Sequence, residues 1–405
     1  MKAGLLTAGL ATLLFSGAML SEAVKAEEVV FEFSGRLSGE LQGYFEEGRF
    51  AGQNYQSNAS LALEPELYWS FNDGTDSVVF TPFYRLDQQD EERSHGDIRE
   101  LSWVHVGDDW EMRTGLRKVF WGVTEFNHLV DVINQTDGIE DRDGEEKLGQ
   151  PMVNLSLVRD WGILDLFVLP GFRERTFAGT DGRLRSGLVV DTGRARYQSE
   201  AADQHIDTAI RWSQSFDLYD IGLYWFRGTN RDPRFETGVK NGVPVLIPVY
   251  EQMDQIGFDG QATIDNWLWK LELLWRDLPD SQYTAMQAGL EYTFYGISDS
   301  NTDLGVLAEF SWDERGRKAD TIFQNDLFIG SRITLNDAAS TEFLAGLGYD
   351  IDYSSRSLFV EASSRFGESL KLSLDVRLFD SGSPRDLMTH IDQDDRIQLT
   401  ADYYF

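Results

Sequence analysis

Hydrophobic and polar positions alternate with a period of two along most of this chain. From Val29 to Phe45 the odd positions read Val, Phe, Phe, Gly, Leu, Gly, Leu, Gly, Phe, while the even positions include Glu32, Ser34, Arg36, Ser38, Glu40 and Gln42. Trp267, Trp269, Leu271, Leu273 and Trp275 share one face of a later segment, with Lys270, Glu272 and Arg276 opposite. Leu370, Leu372, Leu374, Val376 and Leu378 alternate with Lys371, Ser373, Asp375 and Arg377. Such a period belongs to β-strands that meet different surroundings on their two faces.

A soluble sandwich would alternate too, but its inner face could not hold a charge in nearly every strand. Lipid outside and water inside satisfy both faces. The segments also have the roughly ten residues that a tilted strand needs to cross a bilayer. The expected fold is all-β: a transmembrane antiparallel barrel of about 18 strands, with 16 as the alternative. Connection lengths give the same picture. Short turns such as Asn72-Asp73-Gly74, Gly107-Asp108-Asp109, Asp265-Asn266 and Gly367-Glu368 alternate with long connections near 46–57, 88–97, 119–150, 171–204, 229–249 and 380–394. Barrels of this kind have short periplasmic turns and long external loops.

Residues 1–26 read as a secretory leader, with Lys2, an apolar stretch from Gly4 to Leu20 and small residues at Val24-Lys25-Ala26. One barrel domain, 27–405, would follow, in the outer membrane of a Gram-negative bacterium. The final strand ends in Phe405, after Ile397, Leu399 and Tyr403. A terminal aromatic closing an alternating strand resembles the assembly signal of outer-membrane proteins, which implies the barrel-assembly machinery as a partner.

Composition narrows the functions. There is no cysteine, so neither disulfides nor thiolate sites arise. A formal net charge of −32 opposes nucleic acid as a partner. The 11 Trp, 15 Tyr and 26 Phe suit aromatic girdles at two membrane interfaces. No residue pattern implies a cofactor or a metal. The acidic runs 88–92 and 392–395 could hold divalent cations that bridge lipopolysaccharide, although a solvated charge run explains them as well.

The third long connection, Val119–Gln150, mixes apolar residues (Phe120, Trp121, Phe126, Leu129, Val130, Val132, Ile133) with many carboxylates. A solvated loop needs no such apolar set. We expect this loop to fold into the lumen and form a constriction. Glu125, Asp131 and Asp137 would then face the inward Arg36, Arg85, Arg113 and Arg117 across a narrow gap, and the resulting transverse field would select among small hydrophilic solutes. In the same region, Gly115-Leu116-Arg117-Lys118, Trp121-Gly122, Asn134, Asp137 and Pro151-Met152-Val153 resemble a pattern of uncharacterised proteobacterial porin-like barrels. That resemblance implies a porin-like barrel and carries no substrate. Asn134 is followed here by Gln135, where the pattern has Asn-Pro.

The expected function is passive passage of small hydrophilic solutes, with no catalytic residue. Two alternatives are a hydrolase built on the barrel and a structural or export barrel docking a periplasmic partner. His205-x-Asp207 and His390-x-Asp392 are the pairs a hydrolase would use. A lumen plugged by loops would favour the structural role.

Overall fold

A computed structural model of the chain describes residues 29–140 and 144–405. The expected leader at residues 1–26 lies outside the described residues. Among those residues no helix is long and apolar enough to cross a membrane, and the crossing is made by strands. The wall begins with β1 (Val30–Tyr44), β2 (Ser57–Phe71), β3 (Asp76–Asp87), β4 (Gly96–Val106), β5 (Trp110–Arg117), β6 (Gln150–Arg159) and β7 (Gly162–Pro170). A two-residue strand, β8 (Arg196–Tyr197), stands outside it. The wall resumes with β9 (Ile206–Phe216) and β10 (Tyr219–Thr229), and a hairpin, β11 (Arg234–Lys240) and β12 (Val243–Tyr250), projects from it. It continues through β13 (Gln252–Ile264), β14 (Trp267–Leu278), β15 (Ser281–Phe294), β16 (Asp303–Asp313) and β17 (Asn325–Thr334). It ends with β18 (Glu342–Asp350), β19 (Arg356–Phe366), β20 (Leu370–Asp380) and β21 (Arg396–Tyr404).

Eighteen strands pair antiparallel in one sheet, and β21 returns to β1, from Arg36↔Tyr404 to Tyr44↔Arg396. The sheet therefore closes without an edge, as the bilayer requires of a β-structure. Alternation sorts the side chains as expected. On β1, Phe31, Phe33, Leu37 and Leu41 are exposed on the outside while Ser38 and Glu40 are buried inside. Aromatic rings gather at the end with the short turns: Trp267 stacks on Trp269 and meets Tyr292 edge-on, and Trp103, His105 and Trp110 form a second group. These are the interfacial positions such rings favour.

The segment 229–249, expected as an open connection, instead folds into β11 and β12, which with β8 make a separate three-stranded sheet. The physical cause is a tight turn at Asn241-Gly242, both residues having positive φ. Asn-Gly is the pair that a type I′ hairpin turn favours.

The closing seam contains one close approach. Gly35 exchanges two backbone hydrogen bonds with Phe405, at 3.0 and 3.1 Å. A Cβ at residue 35 would sit 2.6 Å from the Phe405 ring and 2.8 Å from the Pro65 Cα. Gly35→Val should therefore reduce the share of heat-modifiable barrel on unboiled gels, while a bulky residue at Gly39, where the Cβ meets open space, should be tolerated. Equal yields of the two variants would remove the steric argument.

Candidate functional site

The third external connection, residues 118–149 (loop 3), leaves β5 and crosses the lumen. Its root is fixed by Asn134, which is almost fully buried. The Asn134 amide donates to the carbonyls of Arg117 (2.7 Å) and Leu148 (2.8 Å), and its oxygen accepts the Val119 N–H (2.8 Å). One side chain thus clasps both limbs of the loop. Trp121, Val130, Val132 and Ile133 then pack on inward apolar residues of the wall: Met152, Phe167, Leu169, Ala209, Tyr224, Phe226 and Met253. Each such side chain contributes about 1.5–3 kcal/mol when fully removed from water. The arc of wall from β6 to β13 is consequently covered by protein core rather than by water.

The far end of the loop is held by carboxylates. Glu272 on β14, fully buried, accepts the N–H groups of Val123 (2.7 Å), Thr124 (2.9 Å) and Val130 (3.2 Å) and the Thr124 hydroxyl (2.6 Å). Gly122, with φ +132°, brings the chain over this carboxylate, where a Cβ would lie 3.0 Å from Oε1. Glu309 on β16 accepts the N–H groups of Glu125 (2.8 Å) and Phe126 (3.2 Å). Phe126 stacks on Phe328 of β17 and meets Phe359 of β19 edge-on. β17 stands half-way round the ring from β5, so the loop spans the whole lumen.

The expected constriction residues fall into different environments. Glu125 pairs with Arg332 (2.7 Å) and Lys270 (3.7 Å) on the far wall. Asp131 is buried and pairs with Lys147 of its own loop at 3.3 Å. Asp137 is buried against Arg99 (2.5 Å) and the Thr176 hydroxyl (2.6 Å). Arg85 is buried with Glu140 (2.7 Å) and Glu40 (3.4 Å). Arg36 pairs with Glu64 at 3.3 Å and faces Asp402 at 3.9 Å, Arg113 with Glu111, and Arg117 lies 3.8 Å from Glu100. None of the three expected acids is brought to any of the four expected arginines. Among the described residues of the loop, Glu145 and Glu146 are exposed carboxylates. Glu146 is within electrostatic reach of Arg36, and Glu145 of Glu361 on β19.

Above loop 3 the external loops interlock. Arg183, nearly inaccessible, donates to Asp394 (2.5 Å) and to the carbonyls of Gln393 and Tyr55, and lies over the Tyr44 ring. Asp90 accepts the Gly179 N–H at 3.0 Å, and Arg49 pairs with Asp392 at 2.6 Å. The acidic runs 88–92 and 392–395 thus supply loop–loop contacts. His205 bonds Asp207 at 2.8 Å, but the hydroxyl in that group, Thr229's, donates to the carboxylate rather than facing the imidazole. His390 lies beside the Phe50 ring, while Asp392 is taken by Arg49.

Two titrating groups of loop 3 are displaced. Burial pushes the Asp131 carboxyl above its ordinary range, despite Lys147 and the Trp121 N–H. Burial opposes a charge on His128, but the Glu145 hydrogen bond and nearby carboxylates raise it overall. Glu272 and Glu309 carry no signal of chemical type in the sequence, and Asn134 stands in the loop pattern without any sign of the clasp it makes. The signal of the two carboxylates is position alone, on inward faces opposite an apolar loop, and Asn134 follows the loop's apolar run.

Neither a protein-family model nor a curated protein matches the sequence. Solved structures do. OccK3 (OpdO) of Pseudomonas aeruginosa aligns at 8% identity over 93% of this chain and 95% of its own, with a TM-score of 0.54. OpdQ of the same organism aligns at 11% identity over 94% and 99%, with a TM-score of 0.53. Wzi of Escherichia coli, an outer-membrane protein involved in group 1 capsule assembly and a carbohydrate-binding β-barrel, aligns at 10% over 92% and 84%, with a TM-score of 0.52. At these identities the shared feature is the fold. Closure, an apolar exterior and this likeness together define an outer-membrane β-barrel of porin-like architecture.

Glu272→Ala should speed hydrogen exchange at Val123, Thr124 and Val130 by about tenfold or more, since a bond to a charged acceptor contributes about 1.5–3 kcal/mol. Unchanged exchange would mean the apolar cluster alone holds the loop. Because the Asp131 carboxyl is raised, its contribution to packing is fullest at acid pH and falls as pH rises through its displaced range. Asp131→Asn should flatten that part of the pH dependence of loop protection, read by the same exchange experiment.

Proposed function

We propose that this barrel is a passive channel for small hydrophilic solutes, narrowed by loop 3 to a passage along the wall of β18–β21 and β1–β5. One observation carries the reading: a loop with its own apolar core crosses the lumen and is pinned to the opposite wall by two carboxylates. The side chains left to border the passage carry both signs. Of the expected set, Arg36, Arg113, Arg117 and Glu125 border it, with Glu145 and Glu146 added. Asp131, Asp137 and Arg85 act through the position they give the loop. Mixed charge in a narrow aqueous gap favours polar and zwitterionic solutes over apolar ones. This reading assigns the chain no catalysis, and the Thr229 hydroxyl beside the His205–Asp207 pair is bonded to the carboxylate. Its surroundings are outer-membrane lipid and lipopolysaccharide, and its assembly uses the barrel-assembly machinery through the strand closed by Phe405.

A second reading has one observation in its favour. The locked contacts around Arg183 fill part of the mouth, which suits a barrel that docks a partner or binds a saccharide, Wzi being a carbohydrate-binding β-barrel. Planar-bilayer recording separates the two. The channel reading expects stepwise conductance, raised by deletion of residues 122–147, and a reversal potential in a salt gradient that Glu145→Gln/Glu146→Gln moves towards anions. The shift should shrink near 1 M salt, where the Debye length is about 3 Å. A silent wild-type barrel would leave the docking reading.

Phe405→Ser should lower the amount of folded barrel in the outer membrane without slowing export, because the closing strand loses its terminal apolar position beside Phe33. Normal folded levels would remove Phe405 as an assembly determinant.

A further inference from the structure

At the external end of the closing seam the inner wall changes character. Asn58 of β2, Gln42 of β1 and Gln398 of β21 stand directly opposite one another as cross-strand neighbours. They form an amide ladder. Gln42 Nε2 donates to Gln398 Oε1 at 2.9 Å, and Asn58 Nδ2 donates to Gln42 Oε1 at 3.4 Å. The Tyr44 hydroxyl donates to the same Gln42 oxygen at 2.9 Å, and the Tyr44 ring meets Tyr55 edge-on. These five side chains line a cavity of about 50 Å³, bounded further by loop 3 at Gly138 and by the connection 171–204 at Gly182. Gln42, Gln398 and Tyr55 are half-buried rather than sealed. The charges around the cavity are already engaged. Arg93 pairs with Glu40 (2.8 Å) and Asp87 (2.9 Å), Glu140 with Arg85 (2.7 Å) and Arg183 with Asp394, while Arg396 faces Asp375 at 3.5 Å. Asp90 accepts the N–H groups of Glu92 and Gly179. This stretch therefore offers a solute amides and phenols rather than ions. An amide nitrogen has two hydrogens to give. Gln42 gives one to Gln398, and Gln398 gives one to the Thr400 hydroxyl in a long bond of 3.4 Å.

We propose that this amide–tyrosine niche is a subsite for a neutral hydroxylated solute, a sugar or polyol, and holds one of its hydroxyl-bearing arms. The inference deepens the channel reading and rests on it for its place in transport. A hydroxyl is donor and acceptor at once, as an amide is, so each can complete the other. An ionic group would meet counter-charges that already have partners, and would give up hydration without an equal replacement. Size sets the mode of binding. One water needs about 10–15 Å³ of such space, so a cavity of about 50 Å³ admits a hydroxymethyl group while the body of a sugar ring stays in the passage. A ladder that served only to stitch the seam would not border open volume or require the two tyrosines beside it.

The test uses the full barrel folded in a phosphocholine detergent, so that no sugar headgroup competes. D-Glucose is the neutral probe and sodium acetate the charged control. Binding is followed by saturation-transfer NMR titration, and by block of ionic current in planar bilayers. Glucose should bind the wild type saturably and acetate should not displace it. Gln42→Leu should abolish glucose binding. Tyr55→Phe, which lies off the seam and leaves closure untouched, should weaken it about two- to tenfold, the loss of one neutral hydrogen bond. Neither substitution changes a charge, so the reversal potential in a salt gradient should stay that of the wild type while block by glucose is lost or weakened. A general disturbance of the lumen would not give that split. Absence of saturable glucose binding, displacement by acetate, or unchanged affinity in either folded variant would overturn the niche and leave the channel reading intact. A barrel that binds glucose as described but does not conduct would keep the niche and remove the channel reading.

Discussion

A polypeptide that enters a bilayer must satisfy each backbone N–H and C=O from within itself. For strands this means closure, and the join between β1 and β21 is where the ring succeeds or fails. Closure also fixes what every other residue can do. Once the sheet is a tube, alternation is no longer a preference but a sorting rule: outward positions meet lipid and inward positions meet whatever fills the tube. Glu272 and Trp275, three residues apart on β14, are assigned to opposite solvents by parity alone.

An eighteen-stranded tube is too wide for wall side chains to fill, so its interior must be wet or must be packed with inserted chain. This protein does both. The β6–β13 arc carries inward apolar residues such as Phe167, Tyr224 and Phe226, which would be poorly placed in water, and loop 3 covers them. The loop's outgoing limb shows the backbone cost of such a placement. Its amides at 123–126 and 130 have no strand beside them, and the wall carboxylates Glu272 and Glu309 serve as their acceptors. Apolar burial brings the loop inside and charged acceptors fix where it stops.

Most of the fold was legible because parity is a property of sequence. Strand number and the contrast of short and long connections follow from alternation and turn residues. Entry of loop 3 into the lumen was legible as well, from apolar residues that solvent would not explain. The contacts of the individual charges were not. Asp137 could have met any inward arginine by sequence, and its partner Arg99 is chosen by the bulge at Thr81/Pro82, which shifts register between β3 and β4. The β11–β12 hairpin did have a signal in Asn241-Gly242, overlooked because the segment lay in a long connection. Glu272 and Glu309 were readable only as inward carboxylates, since nothing in a strand's sequence says which loop will come to rest on it.

The same reasoning explains why charge is distributed so unevenly between paired and idle groups. Where loop 3 and the connection 171–205 press on their surroundings, water is excluded, and the buried arginines there are matched by carboxylates, Arg85 by Glu140, Arg99 by Asp137 and Arg183 by Asp394, or by backbone carbonyls, as Arg185 is. Unmatched burial at those contacts would cost several kcal/mol per ion. Where the wall borders the open lumen, solvent screens the charge and the constraint relaxes. Arg36, Arg113 and Glu361 are partly exposed: Arg36 makes a loose pair with Glu64, Arg113 a same-strand pair with Glu111, and Glu361 a close pair with Arg377 of the next strand. Arg117 belongs to neither group. It is shielded like the first, yet its contact with Glu100, at 3.8 Å, is as loose as those of Arg36 in the second.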